Sequence, residues 1–137
     1  MARYRKARPK ENLIRSVRHR ERSQPNQFSP MTRARQAVLQ HMGYADYTEY
    51  LSSPLWASIR KTVLDRDNWQ CCACSQRAIQ VHHCRYDLPT LSGRDLSQLK
   101  SICVRCHSRI ERSGRRKCSL AEANTRLMSL IMGRKQE

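Results

Sequence analysis

Two C-x-x-C pairs restrict this chain more than anything else in it. Cys71 and Cys74 form one, and Cys103 and Cys106 form the other, about 30 residues later. A tight turn that presents two thiolates supplies half of a tetrahedral zinc site, so two such turns supply all of it. Three of the chain's 5 histidines, His82, His83 and His107, lie between or beside the pairs. That concentration of ligand chemistry exceeds what a purely structural knot requires.

The rest of the composition agrees with a metal staple. The chain has 137 residues, 39% hydrophobic content and 1 Phe, which allows one small domain with a small core. Cores of that size usually need a cross-link or a metal. The cysteines number 7, an odd count that argues against a disulfide framework. No apolar run opens the sequence, so neither an export signal nor a spanning helix is expected, and the cysteine pairs read as zinc ligands. Cys72, Cys84 and Cys118 are left over as small buried thiols. A net charge of +16 points to a polyanionic partner. The basic stretches lack the Trp, Phe and Leu stripes of a membrane-surface helix, so the partner is read as nucleic acid, with no membrane role.

Residues 1–30 read as a basic, flexible arm. Residues 31–52 read as a helical extension. Ser29-Pro30 resembles a cap followed by a first-turn proline, Met31–Met42 follows as a helix, Gly43 stops it, and Tyr44, Tyr47 and Tyr50 recur at helical spacing. Ser53-Pro54 repeats the cap ahead of a helix over Leu55–Arg66, with Trp56, Ile59, Val63 and Leu64 on its buried face. Residues 78–83 alternate weakly and read as a strand. Cys84–Arg94 reads as a loop, Leu96–Ile102 as a returning strand or extended segment, and Val104–Arg112 as a helix. Residues 114–137 comprise a basic turn and a C-terminal helix over Leu120–Met132. Ser119 and Glu122 form a capping box at its start, and Gly133 is its expected stop.

Taken in order, R-D-x-x-x-C-x-x-C, V-H-H-x-x-Y and D-L-x-x-L-x-x-I-C-x-x-C-H resemble the HNH endonuclease family, whose site is the ββα-metal motif. The resemblance covers roughly Trp56 to Glu111 and places a nuclease domain at residues 53–113. It implies a small α+β fold: a zinc-stapled ββα-metal core flanked by N-terminal helices and a C-terminal helix. By position, Cys71, Cys74, Cys103 and Cys106 would hold the structural zinc, although His107 in place of Cys106 is a competing ligand. His82 and His107 would hold a catalytic Mg²⁺ or another divalent ion, and His83 would be the general base. Gln98 stands where the family has Asn, and Asp95 could share its orienting role. Glu111 stands where relatives often have a further His. It lies one helical turn from His107, as a third ligand or a surface carboxylate. Tyr86 is expected to pack under the dyad.

The chemistry explains these residue types. Phosphodiester hydrolysis needs a deprotonated water, neutralisation of the charge growing at phosphorus and help for the departing 3′ oxygen. An imidazole suits the first need near neutral pH, and one hard cation suits the others. The reading requires His82, His83 and His107 to converge on one cation. Adjacent residues on a strand face opposite ways, so convergence requires the strand to bend or end at the dyad. Arg105, Arg109, Arg112, Arg115, Arg116 and Lys117 are expected to contact phosphates, giving affinity without base discrimination. The implied activity is DNA nicking or cleavage. Breaking both strands would take a homodimer or a larger nucleoprotein complex. The small free-standing format suggests a bacterial or phage-encoded protein acting in the cytoplasm. Two rivals stand beside it: a zinc-bound nucleic-acid module without catalysis, and a DNA-targeting accessory subunit of a phage or defence complex.

Overall fold

The computed structural model describes residues 28–136. The basic arm expected over residues 1–30 lies outside them except for its last three positions.

Local signals account for most of the elements. Helix α1 spans Pro30–His41; the Ser29 hydroxyl accepts from the Thr32 amide at 3.1 Å, and Pro30 fits the first turn because no amide is needed there. Gly43, at φ +93°, turns the chain out of it. Helix α2, Tyr47–Leu51, is capped by Asp46, which accepts from the Glu49 amide at 2.8 Å. Helix α3, Pro54–Arg66, starts from Ser53 and buries Trp56, Ile59, Val63 and Leu64, the four residues its periodicity selects.

Strand β1 is Gln80–His83. The segment expected to be a loop after it contains a one-turn helix, α4, at Leu88–Leu91. Asp87 caps it through the Thr90 amide at 3.0 Å, and Pro89 sits in its first turn. The signature matches that of α1 and α3, but four residues are too few for periodicity to register. Gly93 follows at φ +78°, where an added Cβ would lie 2.8 Å from Ile59 Cγ1. Gly93→Ala is therefore expected to cost about 1–3 kcal/mol, through backbone strain and overpacking against α3, read as a lower urea midpoint at unchanged slope.

Strand β2, Leu99–Ile102, returns antiparallel to β1 with Gln80 opposite Ile102 and His83 opposite Leu99. It runs through Cys103 into helix α5, Val104–Glu111. The expected basic turn is a small hairpin of β3 (Arg112–Ser113) and β4 (Arg116–Lys117) around Gly114. Helix α6, Leu120–Arg134, opens with the expected Ser119–Glu122 capping box. Gly133 lies inside it rather than stopping it. A glycine terminates a helix by turning left-handed, and Gly133 is not among the positive-φ residues.

The result is a small α+β fold. One buried cluster joins Leu39 of α1, Tyr50 of α2, Val63 of α3, Leu99 of β2, Ile110 of α5 and Leu127 of α6, so the flanking helices share the core of the central β-β-α unit. The Arg-Asp dipeptide ahead of the first cysteine pair acts as a clasp. Arg66 pairs with Asp67 at 2.7 Å and donates to the Leu96 and Leu99 carbonyls at 2.9 and 2.8 Å. Asp67 accepts from the Ser101 amide at 3.3 Å. The end of α3 is thereby tied to β2. Among the described residues no helix is long and apolar enough to cross a membrane.

Candidate metal centres

The four thiols of the two C-x-x-C pairs meet. Their Sγ atoms all lie within 4.8 Å of one another, and Cys74 Sγ is 3.7 Å from Cys103 Sγ. A tetrahedron with metal–sulfur bonds of about 2.3 Å has edges of about 3.8 Å, so the group has the dimensions of a single-ion site. Local backbone sets the geometry. The Cys71 carbonyl accepts from the Ser75 amide at 2.9 Å across a turn that needs Ser75 at φ +64°. On the other side, Cys103 caps α5, its sulfur accepting from the Cys106 amide at 3.4 Å. Burial opposes charge on Cys103, but the Cys106 amide and the neighbouring thiols outweigh it and bring the thiol down to about 7. Burial, aided by the nearby Cys71 sulfur, instead pushes Cys72 up to about 12, consistent with a spare thiol.

A second cluster uses the later part of α5. His82, His107 and Glu111 each offer a ligand atom within 4.8 Å of the others. Glu111 is one turn beyond His107, and His107 Nε2 stands 3.1 Å from Glu111 Oε1. Glu111 thus stands within ligand reach of His107 and is also 42% exposed. The rings of His82 and His107 are 5.5 Å apart, edge to face. Burial lowers the pKa of both histidines, although Asn124 and Glu111 oppose it at His82 and Glu111 opposes it at His107. Burial thus favours the neutral rings, the form that binds metal. Two imidazoles and one carboxylate with open positions suit a divalent ion.

His83 does not join them. The strand does not bend at the dyad, so the alternation that turns His82 towards α5 and α6 turns His83 towards α2 and α3. Its ring lies between Trp56, 4.6 Å away at 26°, and Tyr86, 5.2 Å away at 19°. Tyr47 closes the box with its hydroxyl 3.3 Å from His83 Nδ1, and Arg35 caps Tyr47 at 4.2 Å. The residue is 3% exposed, and Nε2 is buried with no partner among the described residues. The expected general base does not stand beside the cluster in this arrangement: His83 is enclosed on the opposite face of the strand from His82. Tyr86 does pack against the dyad, as expected.

The box has a measurable consequence. Burial, reinforced by the surrounding His82, Arg35 and His107, holds His83 down at about 3 from an ordinary 6.5. Unfolding releases the ring to its ordinary value, so the unfolded chain binds the extra proton between those limits. Stability from this residue is complete above pH 6.5 and is lost as pH falls towards 3. The slope is about 1.4 kcal/mol per pH unit per proton. His83→Phe fills the same space without titrating. Its urea-derived stability should fall less steeply between about pH 6 and pH 4, by about one proton. Equal slopes for the two proteins would contradict a neutral, enclosed ring.

Gln98 is bonded beside the end of β1. Its carbonyl accepts from the Cys84 amide at 2.8 Å, and its side chain reaches Ser97 at 3.4 Å. Asp95 is likewise engaged locally, accepting from the Ser97 amide at 2.9 Å. The basic residues divide between two sides. Arg105 and Arg109 border an open pocket with Arg77 and Ile79 beside the four thiols. Arg112, Arg115, Arg116 and Lys117 are exposed on the hairpin. Arg116 and Lys117 join Arg35 of α1 around an open cleft of about 750 Å³ whose wall includes His82 and Glu111. Arg116 is also forked to Glu122 at 3.0 and 3.1 Å.

Sequence reasoning missed three contributors. Gln80 sits two residues before His82, hence on the same strand face, a periodicity that could have flagged it. Arg35 and Asn124 reach the region from helices outside the cysteine–histidine motif and carry no local signal. No family model, no curated protein and no solved structure matches the chain.

Proposed function

We propose that the protein is a metal-dependent endonuclease of the HNH type, with a structural zinc at Cys71, Cys74, Cys103 and Cys106. A catalytic divalent ion such as Mg²⁺ would be held by His82, His107 and Glu111, and DNA would be the substrate. The observation that carries this reading is the convergence of one histidine from β1 with a histidine and a carboxylate from α5, in a β-β-α order with the thiol cluster at its base. A bound divalent ion would supply charge neutralisation at the phosphate and at the leaving oxygen. The chain's own part is to hold neutral imidazoles towards the cleft and to line that cleft with Arg35, Arg116 and Lys117, which suit a phosphate backbone. In this reading His83 braces the strand from behind.

The burial of His83 favours one rival, a zinc-containing nucleic-acid-binding module without catalysis. A supercoiled-plasmid assay with Mg²⁺ or Mn²⁺ separates them. Nicking that requires the added metal supports the nuclease; DNA binding with no nicking in any divalent metal supports the module.

A further inference from the structure

Two amide side chains contact the imidazoles of the histidine cluster from outside it. Asn124 of α6 donates from Nδ2 to the Cys84 carbonyl at 2.9 Å, and its Oδ1 lies 3.0 Å from His82 Nε2. A backbone carbonyl only accepts, so the amide nitrogen must face Cys84 and the amide oxygen must face His82. That oxygen also only accepts. The proton of the neutral His82 ring therefore sits on Nε2, and the lone pair sits on Nδ1.

His107 has a partner at each ring nitrogen. Nε2 faces Glu111 Oε1 at 3.1 Å, while Nδ1 lies 2.8 Å from Gln80 Oε1. Without an ion Nε2 donates its proton to the carboxylate; an ion bound there displaces that proton, and the ring then carries its proton on Nδ1, against the Gln80 oxygen.

We propose that Asn124 and Gln80 are positioning residues for the two histidines: Asn124 holds the His82 proton on Nε2, and Gln80 takes the His107 proton on Nδ1 when an ion displaces it from Nε2, so that Nδ1 of His82 and Nε2 of His107 face a divalent ion. This inference rests on the metal-dependent reading above and extends it to a helix outside the cysteine–histidine motif. Asn124 is 42 residues from His82 in sequence and reaches it only because α6 packs along α5. The same amide pins α6 to the end of β1 through Cys84. A ligating histidine whose other nitrogen donates to a fixed oxygen has one tautomer and one ring orientation, and loss of such a partner typically weakens metal binding about 10- to 100-fold.

The test uses the full chain with its thiol site loaded with zinc and its histidines labelled with ¹⁵N. Long-range ¹H–¹⁵N correlation reads which ring nitrogen carries the proton. Before the second ion, wild type is expected to show the proton on Nε2 of His82, against Asn124, and on Nε2 of His107, against Glu111. A second equivalent of Zn²⁺ should shift Nδ1 of His82 and move the His107 proton from Nε2 to Nδ1. Asn124→Leu should mix the His82 tautomers and weaken second-site Zn²⁺ binding about 10- to 100-fold. Gln80→Leu gives the corresponding reading at His107 of the Zn²⁺-bound protein without touching α6, and Gln80→Glu, which keeps the acceptor, should restore the tautomer. A His82 proton on Nδ1, a Zn²⁺ shift at His82 Nε2 with Asn124 as a co-ligand, or unchanged tautomers and affinity in both leucine variants would overturn the proposal. The expected His82 tautomer with no second-site Zn²⁺ binding would support the role of Asn124 and overturn the metal-dependent reading instead.

Discussion

Replacing Cys103 with serine is expected to abolish cooperative folding of the chain, not merely to weaken a site. Cys103 has three connections. Its sulfur is 3.7 Å from that of Cys74, it caps α5 through the Cys106 amide, and it is the only residue between β2 and α5. The sheet it supports has two strands of four residues each, too little surface to stand alone. Zinc held by four thiolates contributes on the order of 10 kcal/mol to units of this kind, comparable to the whole stability of a small domain, about 5–15 kcal/mol. Far-UV circular dichroism should show loss of most helical signal, with bound zinc falling from one ion to none at this site. A chelator should do the same to wild type. Cys72→Ser is the control: its sulfur is outside the cluster, so metal and fold should persist. A folded, zinc-replete Cys103→Ser protein would refute the four-thiol assignment.

His107→Ala should have the opposite profile, with structure retained and chemistry lost. The side chain is 20% exposed and takes no part in the buried hydrophobic cluster, so truncation should cost about 1 kcal/mol of stability. It removes one of the two imidazoles proposed to hold the catalytic ion. An ion in that position contributes several kcal/mol to the transition state, and each 1.4 kcal/mol is tenfold in rate. Plasmid nicking should fall by at least about 10³-fold, with thiol-bound zinc and DNA affinity unchanged. Nicking at the wild-type rate would remove the histidine cluster from the mechanism. His83→Phe is an informative companion. If the ring only fills its box, nicking persists in the phenylalanine variant; if it is lost, the box must open to deliver His83 to water.

Features governed by neighbours in the chain were legible in advance. Ser29, Ser53 and Ser119 cap their helices because a hydroxyl and an amide three residues on need no tertiary partner. Trp56, Ile59, Val63 and Leu64 share a face because a helical turn puts them there. The two C-x-x-C turns prescribe their own geometry, and their spacing allowed one site. Errors arose where length or a distant partner decided. Helix α4 was too short for periodicity, and Gly133 ends no helix because its backbone is not left-handed.

The histidine dyad marks the boundary most clearly. From the sequence came the proximity of His82, His83 and His107 to a metal-binding frame, together with the rule that neighbours on a strand face apart. Whether the strand bends to override that rule depends on what packs on each side. Helices α2 and α3 offer His83 a slot between Trp56 and Tyr86, while α5 and α6 offer His82 the company of His107, Glu111 and Asn124. Caps, periodicity and cysteine spacing are short-range properties, determined by covalent connection and helix geometry alone. Which partner each histidine nitrogen meets depends on side chains up to 42 residues away, and only the packing of the helices brings those together.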